Sequence, residues 1–212
     1  PKAEPAHKGM SLFLVEKGDN FRVTRKLEKL GYKGIDSGEL ILEDCVVSAA
    51  DLIGGEEGRG LQQNLGGLER GRINVAAPGV GVARACLDES VRYAQIRKTF
   101  GKPIAEHQAI QLKLADMATQ VEAARLLVES AARAYDLGER CDMEAGMAKL
   151  FATEAAVHNS LEAMRLHGAY GYAKEFNIER YYRDAPLLAI GEGTNELQRL
   201  IIARQLIRRN PA

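Results

Sequence analysis

A single carboxylate lies between two glycines near the end of the chain, in the segment Gly191-Glu192-Gly193-Thr194. Glycine has no Cβ, so the backbone on either side of Glu192 can come close to a bound ligand. Thr194 or Asn195 can cap the helix that the following residues predict. A carboxylate held at such a place can act as a general base. The alternative is that Gly-Glu-Gly-Thr is only a turn.

The composition excludes several classes of protein. The chain has 212 residues, and its 29 basic and 29 acidic side chains cancel, which indicates a soluble globular protein of one or two domains. We expect no nucleic-acid partner, and no membrane partner because no apolar run approaches the roughly 20 residues that span a bilayer. Three widely spaced cysteines and four histidines without ligand spacing predict neither a disulfide framework nor a metal site, and favour a reducing compartment.

The character of the chain changes after Gly54-Gly55. Before this point short strands are predicted at residues 11–15, 21–24 and 39–42, separated by turn-forming segments. Three strands bury too little apolar area on their own, so they either dock on helices or lack partner strands. Beyond Gly55 the pattern is helical nearly to the end. We therefore predict two domains, residues 1–54 and 55–212.

Four long helices are predicted, at about residues 60–97, 108–137, 147–164 and 194–208. Two of them carry apolar residues in the steps of three and four that are typical of a bundle. The short connection 139–142 after Gly138 favours antiparallel neighbours. We predict a mainly α fold: an antiparallel four-helix bundle with a small N-terminal β fragment. The predicted seams are Ile110, Leu114, Met117, Val121, Ala124, Val128 and Ala131 on the second helix, and Met147, Leu150, Val157, Leu161 and Met164 on the third.

Several separate motifs occur in one order along most of the chain. They are Tyr93–Ile104, Gln108–Gln111, Leu114–Met117, Met147–Ala152 and Glu179–Ala185, followed by Ile190–Gln198. Together they resemble the acyl-CoA dehydrogenase family, over about residues 9–208. The resemblance is to the family's C-terminal half, namely the end of the middle β-domain and the C-terminal helical domain. It implies that the chain is part of a longer protein.

The resemblance implies a reaction for Glu192. Family members remove the α-proton of an acyl-CoA thioester with a carboxylate while the β-hydrogen leaves as hydride to FAD, giving a trans-2-enoyl-CoA. Glu192 matches that base. Because the α C–H is a weak acid, the carboxylate needs a pKa raised toward neutrality, which burial under flavin and acyl chain would supply.

Some members, such as isovaleryl-CoA dehydrogenases, carry the base on the first long helix of this domain instead. The matching position here is Gly71, so Glu192 is the matched candidate. Glu69 lies two positions away, and we interpret it as a structural partner of Arg70 or Arg72. For substrate binding, the resemblance implies Arg72 and Gly193.

The resemblance also implies FAD contacts that are shared between subunits. Arg97, Lys98, Thr99 and Phe100 match the family's Arg-x-x-Phe-Gly element, in which Arg97 would bind the pyrophosphate. The alternative for Arg97 is an arginine beside a helix C-terminus. The other implied cofactor residues are Gln108, Gln111, Arg165, Leu166, His167, Gly168, Ala169, Thr194, Asn195 and Glu196.

Three hypotheses follow from the residues and the resemblance. The first is the C-terminal part of an FAD-dependent acyl-CoA dehydrogenase that acts on an acyl-CoA, passes electrons to electron-transferring flavoprotein and forms a homotetramer; a bacterial cytoplasm is favoured over the mitochondrial matrix. The second is a non-catalytic dehydrogenase-like subunit, because Arg165 and Ala169 depart from the family's Gln-x-x-Gly-Gly pattern. The third is a helical oligomerisation module. In each case we expect the 212-residue chain alone to bind FAD weakly or not at all and to be inactive.

Overall fold

The computed structural model describes residues 3–211 apart from the side chain of Glu69, so the predicted partnership of Glu69 with Arg70 or Arg72 lies outside the described residues. The chain divides into two compact units, residues 1–68 and 69–212. The boundary predicted after residue 54 lies N-terminal to this division and stays a prediction.

The first unit contains one small antiparallel sheet. Strand β1, Phe21–Lys26, pairs with strand β2, Gly38–Leu42, with Phe21 opposite Leu42. Both strands were predicted. The strand predicted at residues 11–15 is wrong, because of these residues only Phe13 pairs, in an isolated bridge with Leu52. Every residue of β2 is exposed, as expected of a two-stranded sheet that buries little apolar area.

The mainly α fold is confirmed, and the second unit is built from helices. Helix α1, Gly60–Ile96, begins in the first unit, and a short hairpin of β3, Lys98–Thr99, and β4, Lys102–Pro103, follows it. Four more helices follow within the described residues: α2, Gln108–Asp136; α3, Asp142–His167; α4, Ile178–Ile190; and α5, Asn195–Arg209.

Helix α4 is an addition to the four predicted helices. It is only 13 residues long and contains Pro186, which conceals it in a search for long uninterrupted patterns. An i,i+4 ion pair lies on this helix, since Arg183 Nε lies 2.6 Å from Glu179 Oε2.

Small residues form the core of the bundle. A cluster of fully buried alanines joins three helices: Ala76 on α1, Ala124 and Ala131 on α2, and Ala148 and Ala152 on α3. Side chains of this size let the helix backbones approach closely. At Gly79 on α1 the approach is closer still, because a Cβ there would lie 3.0 Å from the backbone of Ala152.

The two predicted seams have different outcomes. The seam on α2 is confirmed, because all seven residues are buried or half-buried. The seam predicted on α3 is half-buried, but it does not contain the most buried residues of that helix. Its five seam residues are only half-buried, whereas Ala148, Lys149, Ala152 and Thr153 are fully buried. Helix α3 packs against α2, α4 and α5, so its burial does not follow a single stripe.

Residues 3–211 contain neither a membrane-spanning helix nor a cluster of metal-binding side chains. No helix in this part of the chain has the length and apolar character needed to cross a membrane. No group of three or more His, Cys, Asp and Glu side chains in it is placed to bind a metal ion.

Candidate active site and cofactor pocket

Helices α4 and α5 are joined by the short connection Gly191–Thr194, called the bridge below. This bridge holds Glu192 in a strained conformation. Thr194 caps α5, because its Oγ1 accepts a hydrogen bond from the backbone N–H of Leu197 at 3.4 Å. Glu192 has a φ of 53° and Gly193 a φ of 86°. The left-handed region costs a residue with a Cβ about 1–2 kcal/mol, so the surrounding structure must hold Glu192 there.

Gln198 holds the bridge from one side. Its side chain is fully buried, and its Nε2 donates to the carbonyl oxygen of Gly193 at 3.0 Å and to that of Glu192 at 3.4 Å. These two carbonyls belong to the residues with positive φ. The amide of Gln198 therefore stabilises the conformation that presents the carboxylate.

The carboxylate of Glu192 lies against Gly71 on α1. A Cβ added at Gly71 would lie 2.9 Å from Cδ of Glu192, closer than real Cβ contacts. The neighbouring Arg72 is only 8% exposed, and its buried Nε has no hydrogen-bond partner among the described residues. A buried donor without a protein partner is typical of a group that binds water or a ligand.

A buried amine lies behind the same bridge. Lys149 Nζ donates to the carbonyl oxygen of Ala189 at 2.9 Å and to Oδ1 of Asn195 at 2.8 Å. Asn195 in turn donates from Nδ2 to Thr153 Oγ1 and to Glu154 Oε1, each at 3.0 Å. Burial lowers the pKa of Lys149 to about 8, although Glu196 and Glu154 act in the opposite direction. The side chain of Asn195, an implied cofactor residue, is thus engaged within the protein.

The other two implied residues at this helix start, Thr194 and Glu196, are exposed. The pKa of Glu196 is lowered by hydrogen bonds from its own backbone N–H and from Thr194. Backbone N–H groups at the start of α5 can therefore hold a negative charge. Glu192 itself is exposed as well.

A second candidate site is a pocket of about 460 Å³ where α1 ends, α2 begins and α3 ends. It brings together seven of the implied cofactor residues from two parts of the sequence. They are Arg97, Thr99, Phe100, Leu166, His167, Gly168 and Ala169.

A two-residue turn shapes one wall of this pocket. Phe100 and Gly101 connect β3 to β4, with φ values of 51° and 82°, as in the type I′ turns that fit tight hairpins. Phe100 is 97% exposed. Thr99 Oγ1 lies 3.0 Å from His107 Nε2, which fixes the hairpin to the start of α2.

Sequence reasoning missed the aromatic wall of this pocket. The ring of Tyr93 stacks on that of His167 with centroids 4.2 Å apart, and its hydroxyl donates to the carbonyl oxygen of His167 at 3.3 Å. His167 Nδ1 donates to the carbonyl oxygen of Ala163 at 2.8 Å, and burial lowers the pKa of the ring. His167 is therefore neutral near pH 7. Tyr93 could have been found as the residue one turn before Arg97 on the same helix face.

Besides the three implied cofactor residues at the start of α5, four others do not line the pocket: Lys98, Gln108, Gln111 and Arg165. Gln111 Nε2 donates to the carbonyl oxygen of Ala105 at 3.0 Å. Arg165 pairs with Glu162, which also pairs with Lys113. Burial acts to raise the pKa of Glu162, but the hydrogen bonds from Lys113 and Arg165 outweigh it and hold the pKa below its usual value. Arg165, which stands at the usual glutamine position, is thus engaged in an ion pair.

Comparison with known proteins places the chain in a family. The family model described as "Acyl-CoA dehydrogenase, C-terminal domain" matches residues 58–207. An acyl-CoA dehydrogenase of Bacillus subtilis is 48% identical over 94% of this chain and 52% of its own length. A 3-(aryl)acrylate reductase of Clostridium sporogenes is 44% identical over 95% of this chain and 53% of its own length.

A solved structure agrees with these relatives. A chain in a structure described as the electron transferring flavoprotein of Acidaminococcus fermentans superposes with a TM-score of 0.93. It is 39% identical, and the match covers 97% of this chain and 54% of that one. The chain belongs to the acyl-CoA dehydrogenase family, and it contains that family's C-terminal domain. It spans about half the length of the curated relatives it matches.

Proposed function

We propose that this chain is the C-terminal part of an FAD-dependent acyl-CoA dehydrogenase that oxidises an acyl-CoA thioester to a trans-2-enoyl-CoA, with Glu192 as the base. One observation carries the proposal. Glu192 is held in a left-handed conformation on a glycine-flanked bridge, and its carboxylate lies against the bare backbone of Gly71. Strain of this kind is concentrated at functional sites.

The residues around Glu192 suit the removal of a proton from carbon. Gly71 leaves open the space that the carboxylate occupies. An acyl chain lying over the exposed carboxylate would remove water from it and strengthen it as a base. Arg72, with its unpartnered buried Nε, would donate a hydrogen bond to the bound thioester ligand.

The pocket beside Arg97 fits part of a dinucleotide. It combines one exposed guanidinium, suited to a pyrophosphate, with the aromatic and apolar walls that a flat ring requires. Arg97, Thr99, Phe100 and His167 would hold this part of FAD, whereas Thr194 and Glu196, at the start of α5, would contact FAD at the site of Glu192. FAD, when bound, accepts the hydride from the β-carbon.

We also propose electron-transferring flavoprotein as the electron acceptor and a homotetramer as the assembly. The likeness to the Acidaminococcus fermentans structure favours the first. Exposed apolar residues on α5, Leu200, Leu206 and Ile207, favour association with another surface.

A second candidate is the reverse reaction, reduction of an enoyl-CoA, which the 44% identity to a 3-(aryl)acrylate reductase favours. In that direction the β-carbon would receive the hydride from reduced FAD, and Glu192, in its protonated form, would return the proton to the α-carbon. The same residues serve both directions, so rates measured with acyl-CoA and with enoyl-CoA distinguish the two functions.

The decisive experiment replaces the base. In the protein expressed from its complete reading frame, we expect Glu192→Gln to lower the rate of flavin bleaching by butyryl-CoA and octanoyl-CoA by about 10²–10⁴-fold. Binding of crotonyl-CoA, followed by the flavin absorbance, should remain. Glu175→Gln, at an exposed glutamate outside both sites, is the matched control and should keep full activity.

Two results would contradict the proposal. Undiminished turnover by Glu192→Gln would remove the assigned base. A protein that binds no flavin and responds to no acyl-CoA would favour the non-catalytic subunit or the helical oligomerisation module.

A further inference from the structure

The bridge that carries Glu192 is anchored at both ends by one buried side chain. Lys149 Nζ lies 2.9 Å from the carbonyl oxygen of Ala189, the residue before the last of α4, and 2.8 Å from Oδ1 of Asn195, the first residue of α5. The five residues between these two contacts include Glu192. The distance between the end of α4 and the start of α5 therefore depends on Lys149.

Fold stability alone does not account for a lysine at this place. Lys149 is the largest of the fully buried side chains, and its two hydrogen-bond acceptors are neutral oxygens rather than carboxylates. Two carboxylates, Glu196 and Glu154, act electrostatically on its pKa, but neither accepts one of its two hydrogen bonds. Burying an amine without a paired carboxylate is costly, and an apolar side chain of similar volume would avoid that cost.

The strained conformation of the bridge suggests a role for the buried amine of Lys149. Glu192 has a φ of 53°, and a strained residue persists only where its surroundings leave it no alternative. Gln198 holds the middle of the bridge through the carbonyls of Glu192 and Gly193. Without fixed ends, the middle could relax by a shift of α4 relative to α5, and the carboxylate would leave Gly71.

We propose that Lys149 is a positioning residue for the base: by joining the end of α4 to the start of α5 it keeps the carboxylate of Glu192 against Gly71, in the geometry for proton removal. This inference rests on the proposed function. Asn195 acts with Lys149, and Thr153 orients Asn195 through the hydrogen bond to its hydroxyl. A misplacement of about 1 Å at a reacting group can cost about 10²-fold in rate.

The test compares Lys149→Met with a matched variant in the protein expressed from its complete reading frame. Methionine keeps the volume and removes both hydrogen bonds. Asn159→Leu is the control, because Asn159 is also a fully buried polar residue of α3, but it donates to the carbonyl oxygen of Met117 rather than to the bridge. Flavin reduction by butyryl-CoA, with and without deuterium at the α-carbon, is measured together with the Kd of crotonyl-CoA.

We expect Lys149→Met to lower the rate of flavin reduction about 10- to 100-fold, to raise the α-deuterium isotope effect and to leave the Kd of crotonyl-CoA within about three-fold. A larger isotope effect shows that proton removal itself has become slower, which a merely structural role would not produce. Asn159→Leu should lower Tm and leave the rate and the isotope effect unchanged.

A milder variant keeps the inference testable if Lys149→Met does not fold. Thr153→Val keeps the shape of the side chain and removes its hydrogen bonds to Asn195, and we expect about a five-fold loss of rate with the same rise in isotope effect. The inference is overturned if every folded variant at these two positions retains the wild-type rate and isotope effect while Glu192→Gln is inactive. An active Glu192→Gln variant would instead refute the proposed function.

Discussion

At the scale of single residues, the candidate site around Glu192 depends on the missing side chain of Gly71. The carboxylate of Glu192 occupies the space where any Cβ at residue 71 would lie. A side chain at residue 71 would therefore require the carboxylate of Glu192 to move from its observed position.

A substitution at Gly71 tests this exclusion. We expect Gly71→Ala to displace the carboxylate and lower kcat about 10-fold or more, because the new Cβ would lie 2.9 Å from Cδ of Glu192. Stability should hold, since alanine favours a helix over glycine by about 0.5–1 kcal/mol. Steady-state kinetics and thermal unfolding provide the two measurements.

Gly81→Ala on the same helix is the control for that prediction. Nothing lies within 4 Å of a Cβ at Gly81, so this variant should gain stability and keep its activity. Full activity of Gly71→Ala would show that the carboxylate does not act from the observed position.

The buried Lys149 predicts a pH dependence of stability. Burial lowers its pKa from 10.5 to about 8, so between these values the unfolded chain binds more protons than the folded one. The contribution of Lys149 to the free energy of unfolding therefore rises with pH above about 8 and is smallest below it. The measurement is denaturant unfolding of the wild type and Lys149→Met across this range; a difference that falls as pH rises would contradict the prediction.

At the scale of elements, both candidate sites are formed by short connections between helices. The bridge between α4 and α5 presents Glu192, and the β3–β4 hairpin presents Phe100. Each connection contains a residue with a Cβ at positive φ followed by a glycine at positive φ. Rigid helices fix where such connections begin and end, which allows a strained residue to be held in place.

For Phe100 in the β3–β4 hairpin, we expect one substitution to maintain or raise thermal stability and to weaken FAD binding. Asparagine tolerates the left-handed region better than phenylalanine, so Phe100→Asn should keep or raise Tm. If the exposed ring packs on the cofactor, the same variant should raise the Kd for FAD about 2- to 10-fold.

Reconstitution of the flavin-free protein with FAD measures this effect. Tyr172→Asn is the matched control, because Tyr172 is 80% exposed and lies outside the pocket. Equal FAD affinity for Phe100→Asn and the wild type would exclude Phe100 from the cofactor site.

At the scale of the whole molecule, the chain spans about half the length of its relatives. Its first unit contains a two-stranded sheet whose apolar residues Val23, Leu40 and Leu42 are about half exposed. The pocket beside Arg97 is open and large enough for only part of a dinucleotide.

We therefore expect the 212-residue chain on its own to retain little or no FAD and to turn over no acyl-CoA. Visible absorbance of the purified chain after incubation with FAD and desalting checks this expectation. A yellow preparation that bleaches with butyryl-CoA would show that the cofactor site is complete within these residues.

Much of the fold could be predicted from the sequence, because it depends on local patterns. The spacing of apolar residues along α2 determines both the helix and its buried face, and Gly138 with a short connection determines the turn that follows. The order of the motifs was enough to identify the family. These features require only residues that are near each other in the chain.

Only the tertiary structure decided which residues meet. Gly71 meets Glu192, and Lys149 meets Asn195, across separations in sequence that no periodic pattern records. Helix α3 is surrounded by other helices, so its hydrophobic pattern does not identify its buried lysine. The residue types of the candidate sites were visible in the sequence, but the positions of these residues relative to one another depend on contacts between distant segments.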